Sequence, residues 1–221
     1  MNYVLSIVDP RGLRILTDIC ERLSLPVVLT AYGRGTATNR MLDRLGLESR
    51  EKRIVMTVAD EEKTRELIRE QRRRLYIDAP GNGVVIAVPV KSVGGGEALA
   101  YLNGGETVKK KLPELDPRFE LILAIANEGH TDTVMDAARS AGASGGTVIH
   151  AKGTGADDSG RFFKVSIASE KEIILILSRA EEKNKIMSAV LGQAGPGTEA
   201  GAILFSLPVT ETAGFRISEE K

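Results

Sequence analysis

Tryptophan is missing from this chain of 221 residues, aromatics are only 4% of it, and it has one cysteine. A lone Cys20 excludes an internal disulfide and any multi-cysteine metal site. The two histidines, His130 and His150, have no third ligand type at metal spacing, which weighs against a metal centre. No apolar run approaches about 18 residues, so no bilayer-spanning helix is expected. The opening MNYVLSIVDPRG lacks the basic region, longer apolar stretch and cleavage site of a secretion signal. The 30 basic residues equal the 30 acidic ones, so no global field favours nucleic acid or an anionic membrane. There is no Walker-type Gly-Lys-Ser/Thr and no serine in a nucleophile-elbow context. These absences lead us to expect a cytoplasmic chain, not membrane-embedded, with no nucleic-acid partner.

What is present is internal repetition. VVLTAYGRG (27–35) and GGTVIHAKGTG (145–155) each place a β-branched run before Gly-x-Gly. RIVMTVADEEKTRELI (53–68) matches EIILILSRAEEKNKIM (172–187), and PGNGVVIAVPV (80–90) matches PGTEAGAILFSLPV (196–209). VLSIVDPRG (4–12) resembles LILAIANEG (121–129). We read two copies, residues 1–93 and 118–221, joined by a Gly-, Lys- and Pro-rich linker over 94–117.

Each copy reads strand, helix, strand, strand, helix, strand. In the second, strands are expected near 119–126, 146–151, 172–178 and 201–207, and helices near 130–141 and 180–191. Thr131 or Asp132 is suited to cap the first of these helices and Gly142 to end it. Right-handed crossovers then put both helices on one face of a four-stranded antiparallel sheet, an α+β ferredoxin-like βαββαβ domain in tandem duplication. The runs IILIL (173–177) and LILAIA (121–126) do not alternate, so both faces of their strands require burial. The linked copy or further subunits would supply the second cover. The alternative is that these are short buried strands of a larger α/β core.

Candidate ligand-binding residues are the glycine pairs. After a strand, Gly153-Thr154-Gly155 is able to aim successive N–H groups into a nest for phosphate or carboxylate oxygens. Lys152 adds charge, and Thr147 and Thr154 add hydroxyls. Gly33, Arg34 and Gly35 form the matching set in the first copy, and Gly195, Gly197 and Gly201 cluster before the last strand. A tight turn at a strand end explains any one of these pairs equally well. Arg69, Arg72, Arg73 and Arg74 read as a basic helix end in solvent, not as a nucleic-acid surface. No catalytic residue is identifiable.

The stretch VMDAARSAGASGGTVIHAKGTG (134–155) resembles the first helix and second strand of the PII nitrogen-regulatory signalling proteins. The likeness continues through EKEIILILSRAEEKNKIMSAV and the following glycine-rich loop, covering nearly all of 119–209; the first copy shows it more weakly. The resemblance implies a trimeric arrangement of domains, a homo-oligomer with small-molecule clefts between neighbours. It implies an effector such as ATP, ADP, AMP or a related nucleotide, often with 2-oxoglutarate. It also implies a mobile loop that touches a target protein: a transporter, an enzyme or a regulator. By matched position, Thr147, Lys152, Gly153 and Gly155 would line the cleft from one side, and Gly195, Gly197 and Gly201 would approach phosphates from the other.

The sequence departs from that pattern where charge is concerned. The family's lysine after the last glycine of the second loop is replaced by Ala202, and of its arginines beyond the last strand only Arg216 stands nearby. Those losses remove charge-assisted contacts to phosphate. The loop over 156–171 is shorter and has no tyrosine, and the corresponding first-copy loop over 36–52 has a helical pattern. The expected function is a signal-transduction regulator, with a link to nitrogen metabolism implied by the family. An enzyme on the same scaffold and a cation-handling structural trimer are the alternatives.

Overall fold

The computed structural model describes residues 1–37, 50–93, 101–102, 114–153, 161–162, 165–166 and 169–215. The helical reading of the 36–52 loop, together with Thr154, Gly155 and Arg216, lies largely or wholly outside these residues. The chain divides into two compact units: residues 1–32, 38–119 and 208–221 in the first, and 33–37 with 120–207 in the second.

In the first unit, β1 (Asn2–Val8), α1 (Leu13–Arg22), β2 (Val28–Gly35), β3 (Glu51–Ala59), α2 (Glu61–Leu75) and β4 (Gly83–Pro89) follow one another. The strand order is β2-β3-β1-β4, with β1 antiparallel to both β3 and β4. A last strand from far along the chain, β11 (Glu211–Ala213), adds to β4. Helix α1 buries Leu16, Ile19 and Cys20, the i, i+3, i+4 spacing of one helix face. Helix α2 starts at Asp60, whose carboxylate accepts the Lys63 N–H at 2.7 Å. Its basic end is neutralised in place: Arg72 pairs with Asp78 at 3.2 Å and Arg74 with Asp18 at 2.6 Å.

In the second unit, β5 (Phe119–Asn127), α3 (Thr131–Ser140), β6 (Thr147–Gly153), β9 (Ser169–Arg179), α4 (Ala180–Ala194) and β10 (Ile203–Pro208) repeat the series, with short strands β7 (Arg161–Phe162) and β8 (Val165–Ser166) paired between β6 and β9. The order β10-β5-β9-β6 is the first unit's order again. This is the duplicated ferredoxin-like α+β arrangement.

Helix α3 ends as its sequence requires. Gly142 adopts φ +110°, the Ala143 N–H reaches Ala138 O at 3.0 Å, and the Gly142 N–H reaches Arg139 O at 3.0 Å, a Schellman closure. Its start differs from expectation. His130 occupies the cap position without a side-chain bond, and neither Thr131 nor Asp132 caps the helix. Glu172, from β9, accepts the Thr131 N–H instead. Helix α4 runs three residues past the expected end, because Ala194 still packs in the core before Gly195 stops it.

Each unit has its own core between sheet and helices. Ile122, Ala124, Val148, Ile174 and Ile176 meet Val134, Met135, Ile186 and Val190 in the second, while Val4, Val8, Val55 and Val85 meet Leu16, Ile19, Leu67 and Ile68 in the first. The opposite strand positions are buried too: Ile54 and Leu121 are 0% exposed and Leu177 6%. Both faces of the unalternating runs are therefore buried.

Candidate functional site

Strand direction decides which candidates meet. In the second unit, β5 and β6 end, and β9 and β10 begin, at the same end of the sheet. Gly153 pairs opposite Ser169, Glu128 N–H reaches Glu170 O at 3.3 Å, and Asn127 N–H reaches Ala200 O at 2.9 Å. Gly153 and the loop carrying Gly195, Gly197 and Gly201 thus share one end, about 14 Å apart across three strand spacings. Thr147 stands at the far end of β6, six residues and roughly 20 Å from Gly153. Strand alternation also separates Thr147 from Lys152, which project to opposite faces.

The first copy's glycine pair occupies another place. Gly33, Arg34 and Gly35 lie inside β2, with Arg34 opposite Val148 and Gly35 opposite Thr147. Thr36 secures this join: its N–H and hydroxyl both reach Gly146 O, at 3.0 and 3.1 Å, and its Oγ1 accepts the Gly146 N–H at 2.8 Å. Arg139 adds a guanidinium bond to Thr36 O. Thr147 is therefore neighbour to the first copy's glycines, not to Gly153.

The glycine loop is held by its own backbone. Gly195 N–H reaches Leu191 O at 3.1 Å, and a Cβ there would meet the same oxygen at 2.4 Å. Thr198 donates both N–H and hydroxyl to Gly195 O, at 3.0 and 2.9 Å, and Gly201 turns back with φ +54°. Gly197 has open space where a side chain would stand. Asn127 fastens the loop to β5 by donating its amide to Glu199 O at 2.8 Å. Ala202, where the resemblance leads one to look for a lysine, is buried and donates its N–H to Ala194 O at 2.7 Å.

The cations at this end divide their roles. Lys152 is exposed and forms an ion pair with Glu170 at 3.0 Å. Lys171, which the sequence reading passed over, donates to Asn127 Oδ1 at 2.5 Å. The signal for it lay in the repeat, because Lys52 holds the same place in the first copy, at the start of β3. Lys52 donates to Gly81 O at 3.0 Å, in the loop before β4. Burial pulls its ammonium below the ordinary lysine range, with Arg11 adding to the fall and Asp9 opposing it. Burial pushes the Asp9 carboxyl up, but hydrogen bonds from Arg11 and the charges of Arg11 and Lys52 bring it below its usual value.

His130 and His150 remain apart from any ligand set; among the described residues no group of three His, Cys, Asp or Glu side chains is placed to hold a metal. Nor is any described helix long and apolar enough to cross a membrane.

With this geometry established, comparison with known proteins locates the relationship. Residues 119–219 match the model of the family Nitrogen regulatory protein P-II. Among solved structures, PII of Arabidopsis thaliana bound to citrate is similar at 21% identity, over 43% of this chain and 80% of that one, with a TM-score of 0.35. No curated protein matches the sequence. The family relationship is therefore that of residues 119–219, the second copy, which are PII-like.

Proposed function

We propose that the protein is a non-enzymatic signalling regulator that binds a small anionic effector and thereby controls a partner protein. One observation carries the reading: the fold brings Gly153 and the Gly195–Gly201 loop, far apart in sequence, to one end of the second unit's sheet beside two lysines. Glycines at strand and loop ends let backbone N–H groups approach an anion closely. A nucleotide (ATP, ADP or AMP) is the leading effector and 2-oxoglutarate the second.

The copies are taken as residues 1–93 and 118–221, with 94–117 as their linker. The ligand cleft is placed at a subunit boundary of a homo-oligomer, with domains in a trimeric arrangement. Exposed Ile203 and Phe205 on the edge strand β10 support such an association. Effector binding orders the loop over 156–171 and so selects the surface offered to a transporter, enzyme or regulator, in a cytoplasmic role tied to nitrogen metabolism. Lys152, Gly153, Thr154, Gly155, Gly195, Gly197 and Gly201 are the proposed ligand-facing residues, with Gly33, Arg34 and Gly35, beside Thr147, their first-copy counterparts.

Calorimetric titration of the full chain with ATP, ADP, AMP and 2-oxoglutarate tests the reading. Replacing Gly153 and Gly155 together by valine is expected to abolish binding while the thermal transition persists. Heat of binding unchanged in that double variant would remove the proposed site.

A further inference from the structure

Strand β10 is the outer strand of the second unit, and among the described residues no strand pairs with its free edge. Its counterpart in the first copy, β4, has that edge covered. There β11 runs antiparallel, with Glu211, Thr212 and Ala213 opposite Ala87, Ile86 and Val85. The repeat aligns Pro89-Val90 with Pro208-Val209, which matches Val85, Ile86 and Ala87 to Leu204, Phe205 and Ser206. Burial differs between the matched strands: Ile86 is 1% exposed, but Phe205 is 41% and Ile203 60%. The segment that follows β10 pairs with β4, so β10 itself is left without a cover.

Free sheet edges are ordinarily blunted by charge, by proline or by shortness. Strand β11 has two of these devices, since it is three residues long and contains Glu211. Strand β10 lacks them over 203–207, where the sequence ILFSL has no charge and no proline. An uncharged edge with two exposed apolar side chains is an association site.

The covered edge shows what an occupant must offer. Ala213, a small residue, lies opposite Val85, and both enter the helix-side core. Leu204 packs against the second core from the matching position. An occupant of β10 therefore needs a small residue opposite Leu204 and apolar residues beside Ile203 and Phe205 on the other face. Directly paired residues face the same side, so an antiparallel register changes only in steps of two. A second β10 meets every requirement in one register: Ser206 opposite Leu204, Phe205 opposite Phe205 and Leu207 opposite Ile203. A shift of two sets Leu204 against Leu204 in one direction. In the other it sets Leu204 against Pro208, which has no N–H to donate.

We infer that β10 pairs with β10 of a second copy of this chain, antiparallel, about a two-fold axis at Phe205. This rests on the proposed function only in its homo-oligomer, and it names the surface that joins the copies. One residue further along, the register sets Ala202 opposite Pro208 of the partner subunit. The end of the glycine loop at Gly201 then lies at the boundary between copies. Pairing is by twos, so a three-fold arrangement of chains would be found as a hexamer.

The test is the mass of the full chain in solution, from light scattering coupled to gel filtration. An even number of chains is expected. Phe205→Glu and Phe205→Lys each set like charges face to face across the axis, and each is expected to halve that mass while the thermal transition persists. An equimolar mixture of the two variants sets Glu opposite Lys and should regain the full mass. A monomer or an odd number of chains in the unmodified protein overturns the pairing and leaves the edge to the strand of another protein. An unchanged mass in the folded Phe205→Glu variant also overturns it, as does a mixture that stays at half mass. Calorimetry with the metabolite panel keeps the two readings apart. Heat of nucleotide binding from a monomeric chain removes the pairing and leaves the regulator, whereas a paired chain silent to every metabolite does the reverse.

Discussion

Glu172 accepts two hydrogen bonds from Thr131, one from its backbone N–H at 3.0 Å and one from its hydroxyl at 2.7 Å. The carboxylate is only 2% exposed, and it supplies from β9 the cap that α3 lacks in its own sequence. A negative charge there also suits the helix dipole.

Glu172→Ala should therefore leave a buried helix start without its acceptor. The expected loss is about 1–3 kcal/mol of stability, read from the urea midpoint. Glu172→Gln, which keeps an acceptor oxygen, should lose less. Equal midpoints for wild type and Glu172→Ala would deny the capping role.

Two glycines separate folding from binding. Gly83 has φ +138°, and a Cβ there would meet Ile7 O at 2.1 Å. Gly83→Ala is expected to cost at least about 1–3 kcal/mol, visible as a lowered thermal transition. Gly197 faces open space, so Gly197→Leu should change stability by no more than about 0.5 kcal/mol. Under the proposed function, the same leucine should weaken nucleotide binding measured by calorimetry.

Cys20 is 1% exposed, and burial pushes its thiol from 9.0 up to about 11. An aromatic disulfide reagent at pH 8 should react with it only as fast as the protein opens. The folded thiol keeps its proton where the unfolded one has lost it. Its contribution to stability is thus complete below pH 9 and declines as pH rises from 9 towards 11. Cys20→Ala should flatten that decline in a series of urea midpoints.

Asp116 titrates with the opposite sign. Hydrogen bonds from the Arg118 guanidinium, at 2.8 and 2.7 Å, hold its carboxyl below the usual range against the opposing effect of burial. Its contribution is present above the ordinary carboxylate range and is lost as pH falls through the lowered value. Asp116→Asn should reduce the acid sensitivity of unfolding below about pH 4.

Legibility in the sequence followed the kind of force involved. Periodicity and punctuation carried the element order: the residues of α3 that face the core, the glycine at 142 and the unalternating strands all act through their own neighbours in sequence. The cap of α3 did not show, because its acceptor lies 41 residues away and reaches the helix only through sheet pairing. For the same reason Thr147 and Lys152, close in sequence, were grouped, although a strand separates them by face and by length. Lys171 escaped notice because a lysine opening a strand looks like any solvated charge until its neighbours across the sheet are known. Comparing the two copies position by position, Lys52 against Lys171 and Asp9 against Asn127, was the one sequence-level route to it.

Strand β11 places a constraint on how this protein is made. Residues 211–213 hydrogen-bond to β4, Ala213 enters the core beneath α2, and Thr210 reaches Asn2 at 3.0 Å. Translation emits Thr210 some two hundred codons after Asn2, so the segment through β4 leaves the ribosome with one margin open. A nascent chain must carry that unpaired border of β4 until the carboxyl-terminal segment emerges to seal it.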